Sequence, residues 1–121
     1  MTGEFAIVRL SAEAELPAWA THGAFSSVTR TSNELSIVCA AEDVPVDVHA
    51  RRSYRALRVR GPLDFSLVGI VAGLAGALAA SSISIFVVST FDTDYVFVRA
   101  GDLVRAIAAL RGAGHTVVSA A

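Results

Sequence analysis

The sequence predicts an α+β fold whose elements follow one another in the order βαββαβ. Three observations carry this prediction. A long uncharged segment, residues 65–91, changes at its middle from a helix-like to a strand-like composition. A hairpin pattern with alternating apolar residues follows that segment. A second hairpin pattern of equal length lies sixty residues earlier. These features indicate two tandem α+β units, of which the first is degenerate.

The uncharged segment is long enough to cross a bilayer, which needs roughly 20 mostly apolar residues. Residues 66–80 carry leucine, isoleucine and valine at helical spacing among many alanines and glycines. After Ser81 and Ser82, the stretch "ISIFVVST" is β-branched and aromatic, as in a buried strand. No cluster of Lys or Arg flanks either end to set an orientation. We therefore expect a helix followed by a strand in a soluble domain, without membrane association.

The second half of the chain supplies a complete set of elements. "YRALRVRG" (54–61) alternates in polarity and predicts the first strand. Asp64 or Ser66 is the candidate N-cap of the helix that runs to about residue 80. Residues 83–90 and "YVFVRA" (95–100), joined by the turn "FDTD", predict a hairpin. The predicted arrangement so far is strand, helix and hairpin.

The same half continues with a second helix and a last strand. Asp102 can cap a helix that ends at Gly112 or Gly114, and "HTVVSA" (115–120) predicts the final strand. The order βαββαβ buries one face of an antiparallel sheet under two helices. We expect a ferredoxin-like sandwich.

The first half repeats this pattern in a reduced form. "FSSVTRTSNELSIV" (25–38) aligns with "IFVVSTFDTDYVFV" (85–98) at an offset of sixty, which places Val28 on Val88 and Ile37 on Phe97. "FAIVRL" (5–10) predicts a first strand, while "LPAWA" and "AEDVP" leave room for hardly more than one helical turn each. The expected domains are a degenerate unit at 1–52 and a complete unit at 53–121.

The overall composition narrows the possible partners and the compartment. The 121 residues hold ten basic and eleven acidic side chains, a net charge of −1, which gives no electrostatic footprint for nucleic acid or an anionic membrane. The single Cys39 excludes an internal disulfide and fits a small buried residue in a reducing compartment. The N-terminal residues lack the basic start and apolar core of a signal peptide. We expect a cytoplasmic protein.

Catalytic and metal-binding patterns are missing from the sequence. The three histidines are far apart, with no i,i+4 pair and no cysteine partner, so no metal site is expected. Neither a nucleophile elbow, a P-loop nor a dinucleotide-binding glycine motif occurs, and the serines have no identifiable base. The signature of RNA-binding sheets is also missing. We expect no enzyme activity and no cofactor.

Polar residues at the two ends of the uncharged segment form a candidate binding site. The loop "GPLDFS" leads into a helix, whose first N–H groups can hold an α-carboxylate. Asp64, Asp92 and Asp94 can offer carboxylates to an α-ammonium group, with Thr90 and Phe91 lining the site. The alternative is structural: Asp64 caps the helix, and Asp92 and Asp94 are ordinary turn residues.

The segment from "RALRVRGPLDFSLVGI" to "STFDTDYVFVRAGDLVRAIAALRGAGH" resembles an ACT domain, the small-molecule-sensing βαββαβ module of amino-acid metabolism. Preceded by "PAWA" and "TSNELSIV", it is similar to small tandem-ACT proteins of the CASTOR type and to aspartate kinase regulatory regions. The resemblance implies that a free amino acid or related small effector binds at an interface between ACT units. It implies a site made of Asp64, Phe65, Ser66, Thr90, Phe91 and Asp94.

Two functions remain open at this point. In one, the protein is a regulatory sensor that acts as a homodimer or docks onto another protein. In the other, the pocket is vestigial and the chain is an oligomerisation or docking module without a ligand. The glycine-containing apolar helix of residues 66–80 is compatible with both through dimerisation.

Overall fold

The computed structural model describes residues 1–60 and 69–118. The chain divides into two compact units. The first unit comprises Gly3–Tyr54, and the second comprises Arg55–Ala121 together with Met1–Thr2. Strand β4, Ala50–Arg58, contributes residues to both.

The first unit is an antiparallel sheet of four strands in the order β2-β3-β1-β4. These are β1 (Phe5–Leu10), β2 (Ser26–Arg30), β3 (Leu35–Ala40) and the first residues of β4. Single 3₁₀ turns at Ala18–Thr21 and Ala41–Asp43 connect β1 to β2 and β3 to β4. The unit therefore keeps the order βαββαβ, with each helix reduced to one turn as the sequence predicts.

The core of the first unit lies on one face of this sheet. Ala6 and Val8 of β1 pair with Cys39 and Ile37 of β3, so these alternate residues share a face. All four are buried in one cluster, and Trp19 of the first 3₁₀ turn packs against that cluster. The alternation fixes which face of each strand is inward, because a slip of one residue would expose the whole set.

The strand predicted over 54–61 begins earlier and ends earlier, at Ala50 and Arg58. Its first residues pair with β1, and the register shifts between Phe5↔Tyr54 and Ile7↔Arg51. Ser53 has a φ of 67° at this irregularity. An extra residue that leaves the ladder is a β-bulge, which bends the strand. The sequence missed the early start because the bulge interrupts the period of two.

The second unit has its sheet in the order β4-β6-β5. Helix α1 (Ile70–Ala80) and helix α2 (Leu103–Gly112) accompany the hairpin of β5 (Ile85–Ser89) and β6 (Asp94–Arg99). Its buried cluster contains side chains from both helices and the hairpin: Leu78, Ile83, Val96, Val98, Ala106 and Leu110. The uncharged segment thus contains a helix followed by a strand. No helix within residues 1–60 and 69–118 is long and apolar enough to span a membrane.

Three sequence predictions about the ends of elements need correction. Helix α1 begins at Ile70 after Gly69, whose φ is 84°, which is later than predicted. A left-handed residue cannot continue a right-handed helix, which is why the helix starts there. The predicted N-caps, Asp64 and Ser66, lie outside the described residues. Asp102 is the N-cap residue of α2, as predicted, but its side chain makes no cap hydrogen bond, and its carboxylate pairs with Arg105 at 3.0 Å.

The predicted last strand is the third correction. Residues 115–118 form no regular secondary structure, and residues 119–120 lie outside the described residues. The N–H of His115 donates to the carbonyl of Leu110, and Gly114, with a φ of 94°, donates to Arg111. These bonds close α2 at Gly114 in a Schellman motif. The guanidinium of Arg111 also donates to the carbonyl of Val117, which holds the segment against the helix end.

The two hairpins correspond at an offset of fifty-nine residues rather than sixty. Arg30 pairs with Leu35 across the first turn, and Ser89 pairs with Asp94 across the second. Ile37 therefore matches Val96, not Phe97. The alignment from sequence was wrong by one residue, because Tyr95 to Val98 are apolar on both faces of β6 and their pattern does not define the alignment register.

Candidate functional site

The turn between β5 and β6 is fastened to the end of β4. The N–H of Val59 donates to the carbonyl of Asp94 at 2.9 Å, and the hydroxyl of Thr93 donates to the carbonyl of Val59 at 2.5 Å. Thr93 is only 7% exposed. The turn residues 90–93 are therefore held beside the strand end that leads into residues 61–68.

Thr90 uses its hydroxyl inside the turn. The hydroxyl donates to the carbonyl of Thr93 and accepts the N–H of the same residue, while the N–H of Thr90 donates to that carbonyl as well. Thr31 occupies the matching position of the β2–β3 turn, where its hydroxyl accepts the N–H groups of Asn33 and Glu34. The structure thus gives Thr90 a turn-forming role alongside the ligand contact predicted from sequence.

Phe91 and Asp94 stand at the outer part of the same turn. Phe91 is 82% exposed, which leaves most of its ring accessible to another surface. Asp94 is half-buried, and its carboxylate accepts the hydroxyl of Ser89 at 2.5 Å. A carboxylate offers about four acceptor positions, so one hydrogen bond does not saturate it. Asp94 can therefore still receive an ammonium or guanidinium group.

The structure brings three of the six predicted site residues together. Thr90, Phe91 and Asp94 lie in and beside one turn of four residues. The other three, Asp64, Phe65 and Ser66, lie outside the described residues. The prediction that all six form one site remains a prediction.

A cavity of about 590 Å³ in the second unit was not predicted, and Val59, to which the β5–β6 turn is hydrogen-bonded, is one of its lining residues. Neighbouring strands β4 and β6 contribute Leu57 and Val96, and the C-terminal segment contributes Val117 and Val118. The helices supply further apolar side chains: Ile70, Leu74, Leu78 and Leu110. Such a volume is in the range of small-molecule sites. A sequence signal existed, since "LRVR" (57–60) alternates apolar and basic residues, but the void itself leaves no pattern.

Basic side chains border this cavity. Arg58, Arg60 and His115 belong to its lining, and Arg58 and Arg60 are exposed. No Asp or Glu occurs among its lining residues within the part of the chain that the structure describes. His115 lies near Gly73, since a methyl group placed on that glycine would be 4.0 Å from its Cε1 atom. The cavity therefore combines an apolar interior with a positively charged border.

The charge at this border also acts on a neighbouring amino group. The amino group of Met1 donates to the carbonyl of Ala56 at 3.0 Å. Burial lowers the pKa of this group, and the charges of Arg55 and Arg58 lower the pKa further. Two guanidinium groups thus lie close enough to oppose another positive charge. The positive potential of these arginines favours the binding of an anion nearby.

The other titratable side chains are weaker candidates for a functional site. Among residues 1–60 and 69–118, no group of three or more His, Cys, Asp or Glu side chains is placed to hold a metal ion. Burial raises the pKa of the Cys39 thiol, and the charge of Asp43 adds to that effect. A buried neutral thiol is a poor nucleophile, so Cys39 is not a candidate reactive residue.

One curated relative of this chain is named as an amino-acid sensor. The chain is 36% identical over 83 residues to the "Cytosolic arginine sensor for mTORC1 subunit 1" of Bos taurus. The match covers 62% of this chain and 25% of that protein. The chain therefore spans about a quarter of the length of the curated relative.

Solved structures share the fold over nearly the whole chain. A protein of Agrobacterium tumefaciens is 43% identical, with a TM-score of 0.91, and the match covers 96% of this chain and 87% of that one. A Vibrio cholerae protein described as a possible transport protein has 20% identity, a TM-score of 0.76 and coverages of 95% and 87%. The aspartate kinase of Clostridium acetobutylicum has 12% identity, a TM-score of 0.66 and coverages of 93% and 33%. The last two likenesses establish the fold alone.

Family models match both parts of the chain. A model described as an N-terminal domain matches residues 3–47. The model of the ACT domain matches residues 49–112, more than half of the chain. The resemblance and the fold class predicted from sequence are thereby confirmed, and the chain belongs to the ACT domain family.

Proposed function

We propose that this protein is a non-catalytic regulator that senses a free amino acid at an interface between ACT units. One observation carries the proposal: the turn with Thr90, Phe91 and Asp94 is hydrogen-bonded to Val59, two residues before the predicted loop "GPLDFS". The ACT family and the 36% identity to a protein named an arginine sensor support the same function.

The chemistry of the turn suits a zwitterion. The carboxylate of Asp94 pairs with the α-ammonium group or with a basic side chain, and the ring of Phe91 covers the aliphatic part of the ligand. An exposed ion pair alone contributes about 0–1 kcal/mol. The proposed site therefore needs further contacts, which Asp64, Phe65 and Ser66 and a second ACT unit supply in this proposal.

Tandem ACT units are part of the proposal. The same offset of fifty-nine relates three features of the two hairpins. These are the paired positions of the strands, the turn threonines Thr31 and Thr90, and the following 3₁₀ turns, Ala41–Asp43 and Ala100–Asp102. This correspondence supports two copies of one unit, with a boundary close to residues 52–53. The amino acid then binds at an interface between ACT units, as in a homodimer of the chain.

A docking module without a ligand is the second candidate. Helix α1 has no polar side chain, and several of its small residues are exposed, among them Ala72, Gly76 and Ala79. A helix without a polar face favours a contact with another surface. We propose a cytoplasmic location for either function, in line with the name of the bovine relative.

Thermal unfolding in the presence of each of the twenty amino acids tests the sensor proposal. A ligand at a hundredfold excess over its dissociation constant adds about 2.7 kcal/mol to the free energy of unfolding. We expect one amino acid to raise Tm in the unmodified protein and to lose that effect in Asp94→Asn, which keeps a hydrogen-bond acceptor for Ser89. The control is Asp102→Asn, which removes the same charge from the same unit away from the turn and retains the shift.

The outcomes separate the two candidates. If no amino acid raises Tm or gives heat in titration calorimetry, the sensor proposal fails and the docking module takes its place. If Asp94→Asn and Asp102→Asn both retain the full shift, the amino acid binds the protein at a place other than the β5–β6 turn.

A further inference from the structure

We propose that the cavity of the second unit is a separate site, which binds an organic carboxylate with an apolar body. The proposal goes beyond the sensing of an amino acid, because it concerns other residues and another chemical class of ligand. Thr90, Phe91 and Asp94 are not among the residues that line the cavity.

The depth of the cavity is apolar. Leu78, Val96 and Leu110 are among its lining residues and are at most 4% exposed, so they belong to the buried core beneath it. Leu57 and Leu74, both partly buried, pack against the same cluster. Water in such a place finds few hydrogen-bond partners, and an apolar ligand body gains about 25 cal/mol for each Å² of surface that it removes from water.

The charge around the cavity selects an anion. Arg58 and Arg60 are two residues apart in the sequence, and both belong to the cavity lining. The planar fork of a guanidinium matches the two oxygens of a carboxylate. The imidazole of His115 adds a further hydrogen-bonding group to the lining. One carboxylate group and an apolar remainder are therefore the complement of this cavity.

A free amino acid fits this cavity poorly. Its α-ammonium group would meet the positive charges of the lining residues Arg58 and Arg60. Burial lowers the pKa of the Met1 amino group, and Arg58 is one of the two arginines whose charges lower that pKa further. The described lining also contains no carboxylate that could pair with an ammonium group. A simple carboxylic acid, or an acid whose α-position carries a neutral group, has the anion without the repelled cation. The two proposed sites thus discriminate between ligands by charge.

Titration with octanoate, followed by the methyl resonances in NMR spectra, tests this inference. We expect octanoate to shift the methyl signals of Leu57, Leu74 and Val96 and to leave those of Val8 and Ile37 in the first unit unchanged. Octanamide has the same chain without the charge and should bind about tenfold more weakly, a difference of about 1.4 kcal/mol. Acetate, which has the charge without the chain, should not bind measurably at the same concentration.

Two variants examine the cavity and its border separately. Leu74→Trp fills the cavity and should abolish octanoate binding, whereas the double variant Arg58→Gln/Arg60→Gln should weaken octanoate about tenfold and leave octanamide unchanged. Arg51→Gln is the matched control, because Arg51 is exposed on the same strand and is not a lining residue. Circular dichroism verifies that each variant is folded. If Leu74→Trp does not fold, the methyl shifts and the arginine variants still test whether octanoate binds in the cavity.

The inference is overturned if octanoate and octanamide bind equally, if the arginine pair has no effect, or if no methyl signal of the cavity lining moves at millimolar octanoate. Failure here leaves the sensor proposal standing, because that proposal is tested with amino acids and with Asp94→Asn. Failure of the sensor proposal likewise leaves the octanoate result intact.

Discussion

The hydroxyl of Thr93 donates a hydrogen bond of 2.5 Å to the main-chain carbonyl of Val59. The neighbouring N–H of Val59 donates to the carbonyl of Asp94 at 2.9 Å. These two bonds attach the β5–β6 turn to the end of β4 from both sides of Val59. The position of Phe91 and Asp94 relative to the strand end therefore depends on a buried hydroxyl.

Replacement of Thr93 by valine tests this dependence. Valine has nearly the same shape as threonine but no hydroxyl, so the carbonyl of Val59 loses this hydrogen-bond partner. Water has little access to the position, because Thr93 is only 7% exposed. We expect Thr93→Val to lower the free energy of unfolding by about 1–3 kcal/mol. Urea unfolding measures the change, and Thr93→Ser, which keeps the hydroxyl, should lose less than half as much. A stability of Thr93→Val within about 0.5 kcal/mol of the unmodified protein, which is the usual scatter of surface substitutions, would refute the role of this bond.

Local patterns were sufficient to predict most of the elements. The change of composition at Ser81 and Ser82 correctly separated α1 from β5, because leucine and alanine favour helix whereas isoleucine, valine and phenylalanine favour strand. The short "LPAWA" and "AEDVP" segments correctly predicted single turns, since too few residues remain there for a helix.

The errors arose where the outcome depends on long-range structure. Glycine fits a helix interior or a left-handed position, so the composition around Gly69 did not fix where α1 begins. "HTVV" has the composition of a strand, but a strand also needs a neighbouring edge, and residues 115–118 are instead tied to the end of α2. The cavity was missed for a similar reason, because its lining comes from stretches that are far apart in the sequence.

The candidate site was predictable only in part. Thr90 and Asp94 were predicted from their place in the hairpin and from the resemblance to ACT domains, and in the structure Thr90 begins the four-residue turn and Asp94 directly follows it. Their proximity to Val59 was not predictable, because it depends on the pairing of β4 beside β6.

Ser82 adopts a left-handed conformation at the end of α1 and provides a second test. Its φ is 58°, and its N–H donates to the carbonyl of Ala79 while that of Ile83 donates to Leu78. This is the Schellman arrangement that usually contains glycine. A left-handed conformation costs a residue with a Cβ roughly 1–2 kcal/mol, and glycine loses about 0.5–1 kcal/mol of chain entropy in exchange.

We therefore expect Ser82→Gly to stabilise the protein by roughly 0.5–1 kcal/mol. Ser81→Gly is the matched control, since Ser81 has a φ of −98° and gains no relief from glycine. Thermal unfolding should raise Tm for Ser82→Gly and lower it slightly for Ser81→Gly. Equal shifts in both variants would mean that the conformation of Ser82 carries no strain.

The core of the second unit predicts a large contrast between two apolar truncations. Leu78 is fully buried, whereas Val104 on α2 is 81% exposed. We expect Leu78→Ala to cost about 2–5 kcal/mol through lost burial and a residual void. Val104→Ala should stay within about 0.5 kcal/mol of the unmodified protein. Chemical denaturation compares the two, and a loss below about 1 kcal/mol for Leu78→Ala would contradict its position in the core.

The thiol of Cys39 links stability to alkaline pH. Cys39 is fully buried, and burial, followed by the charge of Asp43, raises its pKa above the ordinary value of 9.0. The folded protein therefore keeps the thiol proton at a pH where the unfolded chain has already released it. Because the unfolded state then binds fewer protons, the free energy of unfolding falls as pH rises. This stabilisation is complete below pH 9.0 and is lost between 9.0 and the raised pKa of the folded state.

Comparison with Cys39→Ala isolates that contribution from other groups that titrate in the same range. We expect the unmodified protein to lose stability relative to Cys39→Ala above pH 9.0, with a slope of at most about 1.4 kcal/mol per pH unit. Urea unfolding under reducing conditions between pH 7 and roughly pH 10, near the upper limit of thiol titration, gives the difference at each pH. Because alanine does not titrate, the cost of the smaller side chain is the same at every pH. A difference that does not change with pH would show that the thiol has the same pKa in the folded and unfolded states.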